Sequence, residues 1–138
     1  MTLHLIKLSV GTDDIADLRH WQRLRRKERG FSSFFTRNTP RRTEELLDGG
    51  SIYWVIKGYV RVRQRLKGFT STVTEDGLPR CIVRYEMKLV PTVPVPKRAF
   101  QGWRYLEPKD APPDWKGSKG DPDLPPKMVE ELRSLGLL

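Results

Sequence analysis

The stretch from Tyr59 to Leu66 alternates in a way that favours one kind of chemistry. A β-strand turns successive side chains to opposite faces, so one face would carry Tyr59, Arg61, Arg63 and Arg65. The other face would carry Val60, Val62, Gln64 and Leu66. Guanidinium groups at this spacing repel one another unless water or an anion lies over them. The stretch therefore predicts a strand whose arginine face binds anions.

A second group of arginines surrounds a predicted helix start. Thr39 is suited to cap a helix and Pro40 to occupy its first position, which predicts a short helix through Leu47. Arg37, Arg41 and Arg42 flank this start. The amino end of a helix attracts anions, and arginines add charge-assisted hydrogen bonds to phosphate.

Aromatic residues near these cations extend the prediction from an anion to a nucleic acid. Arginines hold phosphates while aromatic rings stack on bases, and this combination recognises single-stranded RNA or DNA. Trp103 and Tyr105 would share one face of a short strand, opposite Arg104, whereas Trp54 lies in an apolar run and is assigned to the core. The predicted contact set is Arg37, Arg41, Arg42, Lys57, Tyr59, Arg61, Arg63, Arg65, Trp103, Arg104 and Tyr105.

Catalytic and metal sites have little support in the sequence. There is no GxSxG, HExxH, P-loop or GxGxxG motif. Cys81 is the single cysteine, and His4 and His20 are the two histidines, so neither a disulfide, a zinc site nor a cofactor is expected. An enzyme would have to use Lys57 as a base with Glu86 nearby, which leaves as an alternative a small, amidohydrolase-like hydrolase acting on a nucleoside or other anionic small molecule.

The distribution of charge supports a polyanionic partner. The 138 residues carry a formal net charge of +9, and residues 19 to 67 alone hold 14 Lys and Arg against 4 Asp and Glu. Nucleic acid, with RNA favoured over DNA, is the expected partner, and a protein-interaction module for an acidic partner is the other alternative. Neither a signal peptide nor a membrane span is indicated, which predicts a cytoplasmic protein without membrane contact. The oligomeric state is left open.

The order of elements predicts one α+β domain over residues 1–138. A first strand (3–10) precedes a helix that begins after Thr12, packs Ile15, Leu18, Trp21 and Leu24, and ends at Gly30. A central strand (52–56), the arginine strand and a partner strand (81–90) follow, the last placing Glu86 to pair with an arginine. A proline-rich surface segment over 107–127 leads to a C-terminal helix that packs Met128, Val129, Leu132 and Leu135. The predicted core includes Leu5, Ile6, Trp54, Ile56, Val62, Val83 and Met87.

Three strings carry a resemblance to a known family. TRNTPRRTEELLDGGSIYWVIKGYVRVRQRL, RAFQGWRYLEPKDAP and MTLHLIKLSVG resemble a family of small bacterial proteins catalogued as a domain of unknown function. The resemblance covers nearly the whole chain and implies no activity. The element order is also similar to PUA-like and ASCH-type domains, small β-barrels that often bind RNA or modified bases. The GxKxxExR signature of ASCH-type domains is absent, so this similarity carries over no catalytic residues.

These observations predict a curled mixed sheet or small PUA-like β-barrel of about five strands with flanking helices. The expected function is non-catalytic binding of RNA through the arginine-rich sheet face, with aromatic stacking. A pocket enclosing Lys57 and Glu86 would instead favour the hydrolase.

Overall fold

The computed structural model describes residues 1–115. Its strands are β1 (His4–Leu8), β2 (Ser33–Thr36), β3 (Ser51–Ile56), β4 (Tyr59–Val73), β5 (Pro79–Tyr85), β6 (Val90–Pro96) and β7 (Trp103–Leu106). The helices are α1 (Ile15–Arg29) and α2 (Thr43–Leu47), followed late in the chain by a short 3₁₀ turn, Pro108–Asp110. The predicted C-terminal helix lies outside the described residues. Within residues 1–115, no helix has both the length and the apolar character needed to cross a bilayer.

All seven strands belong to one mixed sheet in the order β2-β5-β4-β3-β1-β7, with β6 also paired to β4. β1 runs parallel to β3, and the other pairs are antiparallel. The prediction of a mixed sheet with flanking helices is confirmed. The described part contains seven strands where about five were expected, and the sheet stays open because β2 and β7 are its two edges.

The long strand β4 organises the sheet. The turn Lys57-Gly58, with φ of 47° and 84°, joins it to β3 as a two-residue hairpin, so Gly58 belongs to the turn and does not bend a strand. The first part of β4 pairs with β3 and β6, and the part from Leu66 to Val73 pairs with β5. The predicted antiparallel partner is therefore real, but β5 ends at Tyr85 and lies mostly beyond the arginines.

Apolar side chains are buried on both faces of the sheet. The larger core, on the α1 face, includes Leu5, Trp54, Ile56, Val62 and Val83. The smaller one, on the opposite face, contains Ile6, Tyr53, Val55, Val60 and Leu106. Of the residues predicted for the core, six are buried and Met87 is half-buried because it follows the end of β5.

The buried face of α1 differs from the predicted one. Ile15, Leu18 and Gln22 are buried, whereas Trp21 and Leu24 are 46% and 40% exposed. Each three-residue step falls short of a full helical turn by about 60°, so a run of such steps leaves the face on which it began. The N-cap is Asp14, whose carboxylate accepts from the Asp17 N–H at 2.7 Å, not the predicted Thr12. The predicted stop at Gly30, with φ of 83°, is confirmed.

Gln22 is buried because a second amide meets it. The Gln22 and Gln64 side chains each donate to the other's oxygen, at 2.8 and 2.7 Å, and the Trp54 indole N–H donates to Gln64 Oε1 at 2.8 Å. Gln64 Nε2 also reaches the Glu86 carbonyl at 3.0 Å. A polar group inside a core is tolerated when it is hydrogen-bonded, and this network ties α1, β3 and β4 together.

Residues 113–115 of the proline-rich segment pair with β6. The Val93 N–H donates to the Pro113 carbonyl at 2.9 Å, the Trp115 N–H donates to the Pro91 carbonyl at 2.8 Å, and Trp115 is buried. Residues 107–115 are thus an ordered cover over one sheet face, which places Asp114 against the arginine strand.

Candidate nucleic-acid interface

The four residues Tyr59, Arg61, Arg63 and Arg65 do not share one face. Val62 pairs with Trp54 and Val60 with Val55, which leaves Arg61 as the extra residue of a β-bulge. Tyr59 pairs with Ile56 and so takes the α1 face, whereas Arg63 and Arg65 take the other. The predicted alternation is correct beyond the bulge and wrong before it.

The three arginines also have different surroundings. Arg61 is 5% exposed. Arg63 makes a bidentate ion pair with the Asp114 carboxylate, at 2.7 and 2.8 Å, and donates a 3.1 Å hydrogen bond to Ser51 Oγ. Arg65 is exposed beside the turn at Gly49. The carboxylate paired with Arg63 is Asp114 and not the predicted Glu86, so Arg63 holds the 107–115 cover in place.

His4 lies near Arg63, because both residues hydrogen-bond to Ser51. The Ser51 N–H donates to His4 Nδ1 at 3.0 Å, and the imidazole meets the Tyr53 ring edge-on at 5.1 Å. Burial, followed by the positive charge of Arg63, lowers the pKa of His4 below its ordinary value. The folded protein therefore holds this imidazole neutral.

We expect a specific pH dependence of stability from His4. The pKa of His4 is lower in the folded than in the unfolded state. Its contribution to the free energy of unfolding is therefore intact above about pH 6.5 and is lost as the pH falls from there to the folded-state pKa. Urea unfolding of the wild type and His4→Gln between pH 8 and pH 5 measures this. The wild type should lose stability more steeply on acidification, and parallel curves would contradict the assignment.

Three further residues of the predicted contact set have partners of their own. Lys57 is in the exposed hairpin turn, 3.0 Å from an Asp13 carboxylate oxygen. Arg104 pairs with Ile6 on the face away from α1, and its guanidinium stacks 4.6 Å from the Phe100 ring centroid. Arg42 forms an ion pair with Glu45. Trp103 lies on the α1 face of the sheet and Arg63 on the other, so the predicted set is not a single surface.

Four of the predicted residues do meet, in an open cleft of about 1140 Å³. Both edge strands of the sheet, β2 and β7, contribute to the lining of this cleft, which shows that the sheet is curled. The residues that line it are Lys7, Phe35, Thr36, Arg37, Asn38, Thr39, Arg41, Gln101, Gly102, Trp103 and Tyr105. Three are cations, three are aromatic and none is acidic.

Hydrogen bonds from β7 fix the loop that carries the arginines. The Tyr105 hydroxyl accepts from the Arg41 and Arg42 backbone N–H groups at 3.0 and 3.2 Å, and the Trp103 indole donates to the Asn38 carbonyl at 3.2 Å. The helix that follows begins at Thr43, later than predicted, and the backbone N–H of its N-cap, Arg42, is already bonded to Tyr105. Arg37 and Arg41 are therefore presented by a loop against β7 and not by a helix end.

The predicted contact set lacks one cation and one aromatic residue of the cleft. Lys7 interrupts an apolar run that was assigned to a buried strand, and it pairs with Trp103 across β1 and β7. Phe35 is not in the predicted contact set, yet it is 50% exposed and its ring centroid lies 4.6 Å from the Arg29 guanidinium. Its alternation with buried Phe34 in a short strand was the available signal.

Comparison with known proteins identifies the family of the chain but no activity. Residues 5–138 match the model of the family described as protein of unknown function (DUF1489). Neither the curated proteins nor the solved structures include a match.

Proposed function

The chain belongs to the DUF1489 family, and because that family's description assigns no activity, we propose from the cleft that the protein binds single-stranded nucleic acid without catalysing a reaction. The observation that carries the proposal is the lining of the cleft at β2 and β7, which contains three cations and three aromatic rings and no acidic residue. Such a groove follows a phosphate backbone while its rings stack on bases.

Two arginines of the cleft are accessible to phosphate. Arg37 and Arg41 are exposed and lie on the lining with Lys7. The neighbouring Arg42 is different, because its Nη2 donates to Glu45 Oε1 at 2.9 Å and its Nη1 lies 3.9 Å from Glu107. Arg37 and Arg41 are therefore the better candidates for phosphate contacts.

The aromatic rings are held in place before any ligand arrives. Trp103 and Tyr105 pack edge to face with centroids 5.0 Å apart, and the polar atoms of both bond to the arginine loop. Their rings line the cleft and are half-buried. Fixed rings lose little conformational freedom when a base stacks on them, which favours binding.

We favour RNA because several uncharged polar groups also line the cleft. Thr36, Asn38, Thr39 and Gln101 stand among the cations and rings. Such groups can hydrogen-bond the 2′-hydroxyl that distinguishes RNA from DNA. The relation to PUA-like domains suggested by the element order is part of the same proposal.

A hydrolase built on Lys57 and Glu86 has less support. Lys57 precedes the start of β4, and the Glu86 N–H bonds to the Arg65 carbonyl six residues further along that strand. The two positions are thus roughly 20 Å apart along the strand. This separation is too long for the two side chains to share a proton.

We expect RNA binding that weakens with salt and depends on the cleft. For a fluorescent ten-nucleotide single-stranded RNA, three phosphate contacts predict a slope of log K against log[salt] of about −2. Arg37→Gln and Arg41→Gln should each flatten the slope by about 0.7. Trp103→Ala should lower affinity by about 1–3 kcal/mol with the slope unchanged. Fluorescence anisotropy between 50 and about 300 mM KCl measures both quantities.

Matched controls lie on other surfaces. Arg65→Gln and Arg104→Gln remove exposed charges from the opposite sheet face, so they should leave the slope nearly unchanged. Equal effects at these controls, or no RNA binding at low salt, would contradict the proposal. An acidic peptide that binds instead would indicate the protein-interaction alternative, and tighter binding of the matching DNA would remove the preference for RNA.

A further inference from the structure

A second cavity, of about 300 Å³, opens next to the cleft. It lies between α1, the loop after β1 and the α1 face of the sheet, and Lys7 lines both cavities. Its volume is at the lower end of the range for small-molecule sites. It has room for one small ligand and not for a polymer.

The inner walls of this cavity are aromatic. Phe34, Trp54 and Tyr85 are all buried and meet pairwise, with ring centroids 5.6 Å apart for Phe34 and Trp54 and 6.1 Å for Trp54 and Tyr85. Trp21, which is 46% exposed, stands at the outer side. Walls of this kind accept a flat ring by stacking and edge contacts.

A polar group is built into the apolar wall. Gln22 is 2% exposed and lines the cavity, and its amide is fixed by the reciprocal bonds to Gln64. These bonds use one N–H and one lone pair, which leaves a second of each for a ligand. Together with the rings, this amide suits the polar edge of a heterocycle better than a plain hydrocarbon.

Two cations share the lining with these groups. Lys7 places its ammonium 5.8 Å from the Phe34 ring centroid, and Arg25 of α1 is also on the lining. Burial, followed by the charge of Arg25, lowers the pKa of Lys7. Within residues 1–115, neither group forms an ion pair with a carboxylate. An anion between them would relieve their repulsion.

We propose that this cavity, here named the nucleotide pocket, binds one nucleotide unit, with its base between the aromatic walls and Gln22 and its phosphate between Lys7 and Arg25. The choice of a nucleotide over other aromatic anions rests on the proposed function, because Lys7 connects the pocket to the cleft. The unit is either a free nucleoside monophosphate or one nucleotide of a bound RNA. Both present the same base and phosphate.

Calorimetric titration with AMP, GMP, CMP and UMP tests this pocket directly. At least one should bind more tightly than its nucleoside or inorganic phosphate alone, because each of these supplies half of the contacts. Trp21→Ala and Arg25→Gln, both exposed on α1, should each weaken that binding by about 10-fold. Leu24→Ala and Arg23→Gln, exposed on the same helix but outside the pocket lining, should leave it unchanged.

The outcomes separate the pocket from the cleft. RNA binding through the cleft without mononucleotide binding would contradict the nucleotide pocket and leave the proposed function standing. Equal losses of mononucleotide affinity at the control variants would do the same. Mononucleotide binding without RNA binding would support a site for a free nucleotide and overturn the proposed function. Competition between the monophosphate and the ten-nucleotide RNA, lost in Arg25→Gln but kept in Arg23→Gln, would place a nucleotide of the RNA chain in the pocket. Phosphate alone binding as tightly as the monophosphate would contradict a role for the base.

Discussion

Gly50→Ala should lower the free energy of unfolding by about 4 kcal/mol or more, among the largest effects of a single substitution. Gly50 joins α2 to β3, with its N–H donating to the Leu46 carbonyl and its carbonyl accepting from the Leu66 N–H, both at 3.0 Å. A Cβ at this position would overlap the carbonyl oxygens of Leu3 and Leu46. Both are backbone atoms, so relief requires β1 or α2 to move. Urea unfolding followed by circular dichroism measures the loss.

Gly49→Ala is the matched control, because it adds the same methyl group one residue earlier. Gly49 has φ of 81°, a conformation that costs an L-residue about 1–2 kcal/mol, but the nearest atoms to an added Cβ are 3.9 Å away. Its cost should therefore be the smaller of the two. If Gly49→Ala lowers the free energy of unfolding as much as Gly50→Ala, then backbone conformation, and not close packing, is what requires glycine between α2 and β3.

Trp54→Ala should cost about 3–5 kcal/mol. The side chain is 5% exposed, touches Phe34 and Tyr85, and donates its indole N–H to Gln64. Its removal leaves a cavity and takes one donor from the buried amide pair. The same urea unfolding measurement gives this loss.

Trp21→Ala provides the comparison, since it deletes an equally large side chain from a half-exposed position on α1. We expect it to cost much less than Trp54→Ala, which would also show that its use as a binding variant does not depend on unfolding. Equal losses at the two tryptophans would contradict the assignment of Trp54 to the sheet core.

Much of the fold could be predicted because its signals are local. An apolar run indicated β3 as a strand covered on both sides, and Gly30 marked the end of α1. The bulge at Arg61 could not be predicted, because it depends on how β4 pairs with β3 and gives the sequence of β4 no recognisable pattern. This single extra residue places Tyr59 on the opposite sheet face from Arg63 and Arg65, so the predicted arginine face does not form.

The cleft was only partly predictable for a different reason. Arg37, Arg41, Trp103 and Tyr105 were named from their chemistry, but Lys7 and Phe35 became neighbours of these residues because the sheet curls and brings β2 close to β7. Curvature is a property of the assembled sheet and not of any one segment. Gln22 was missed similarly, since an amide on a helix face gives no indication that Gln64 will meet it inside the core.

The position of β1 between β3 and β7 has a consequence for folding kinetics. Leu5 pairs with Ile52 on one side and with Tyr105 on the other, so both ladders of this strand close long loops of chain. Closing such loops costs entropy before the new contacts repay it, and sheets rich in distant pairings fold slowly. The β3–β4 hairpin, whose strands are joined by two residues, can form early without them. We therefore expect refolding to be limited by insertion of β1, with β7 and the cleft completed last.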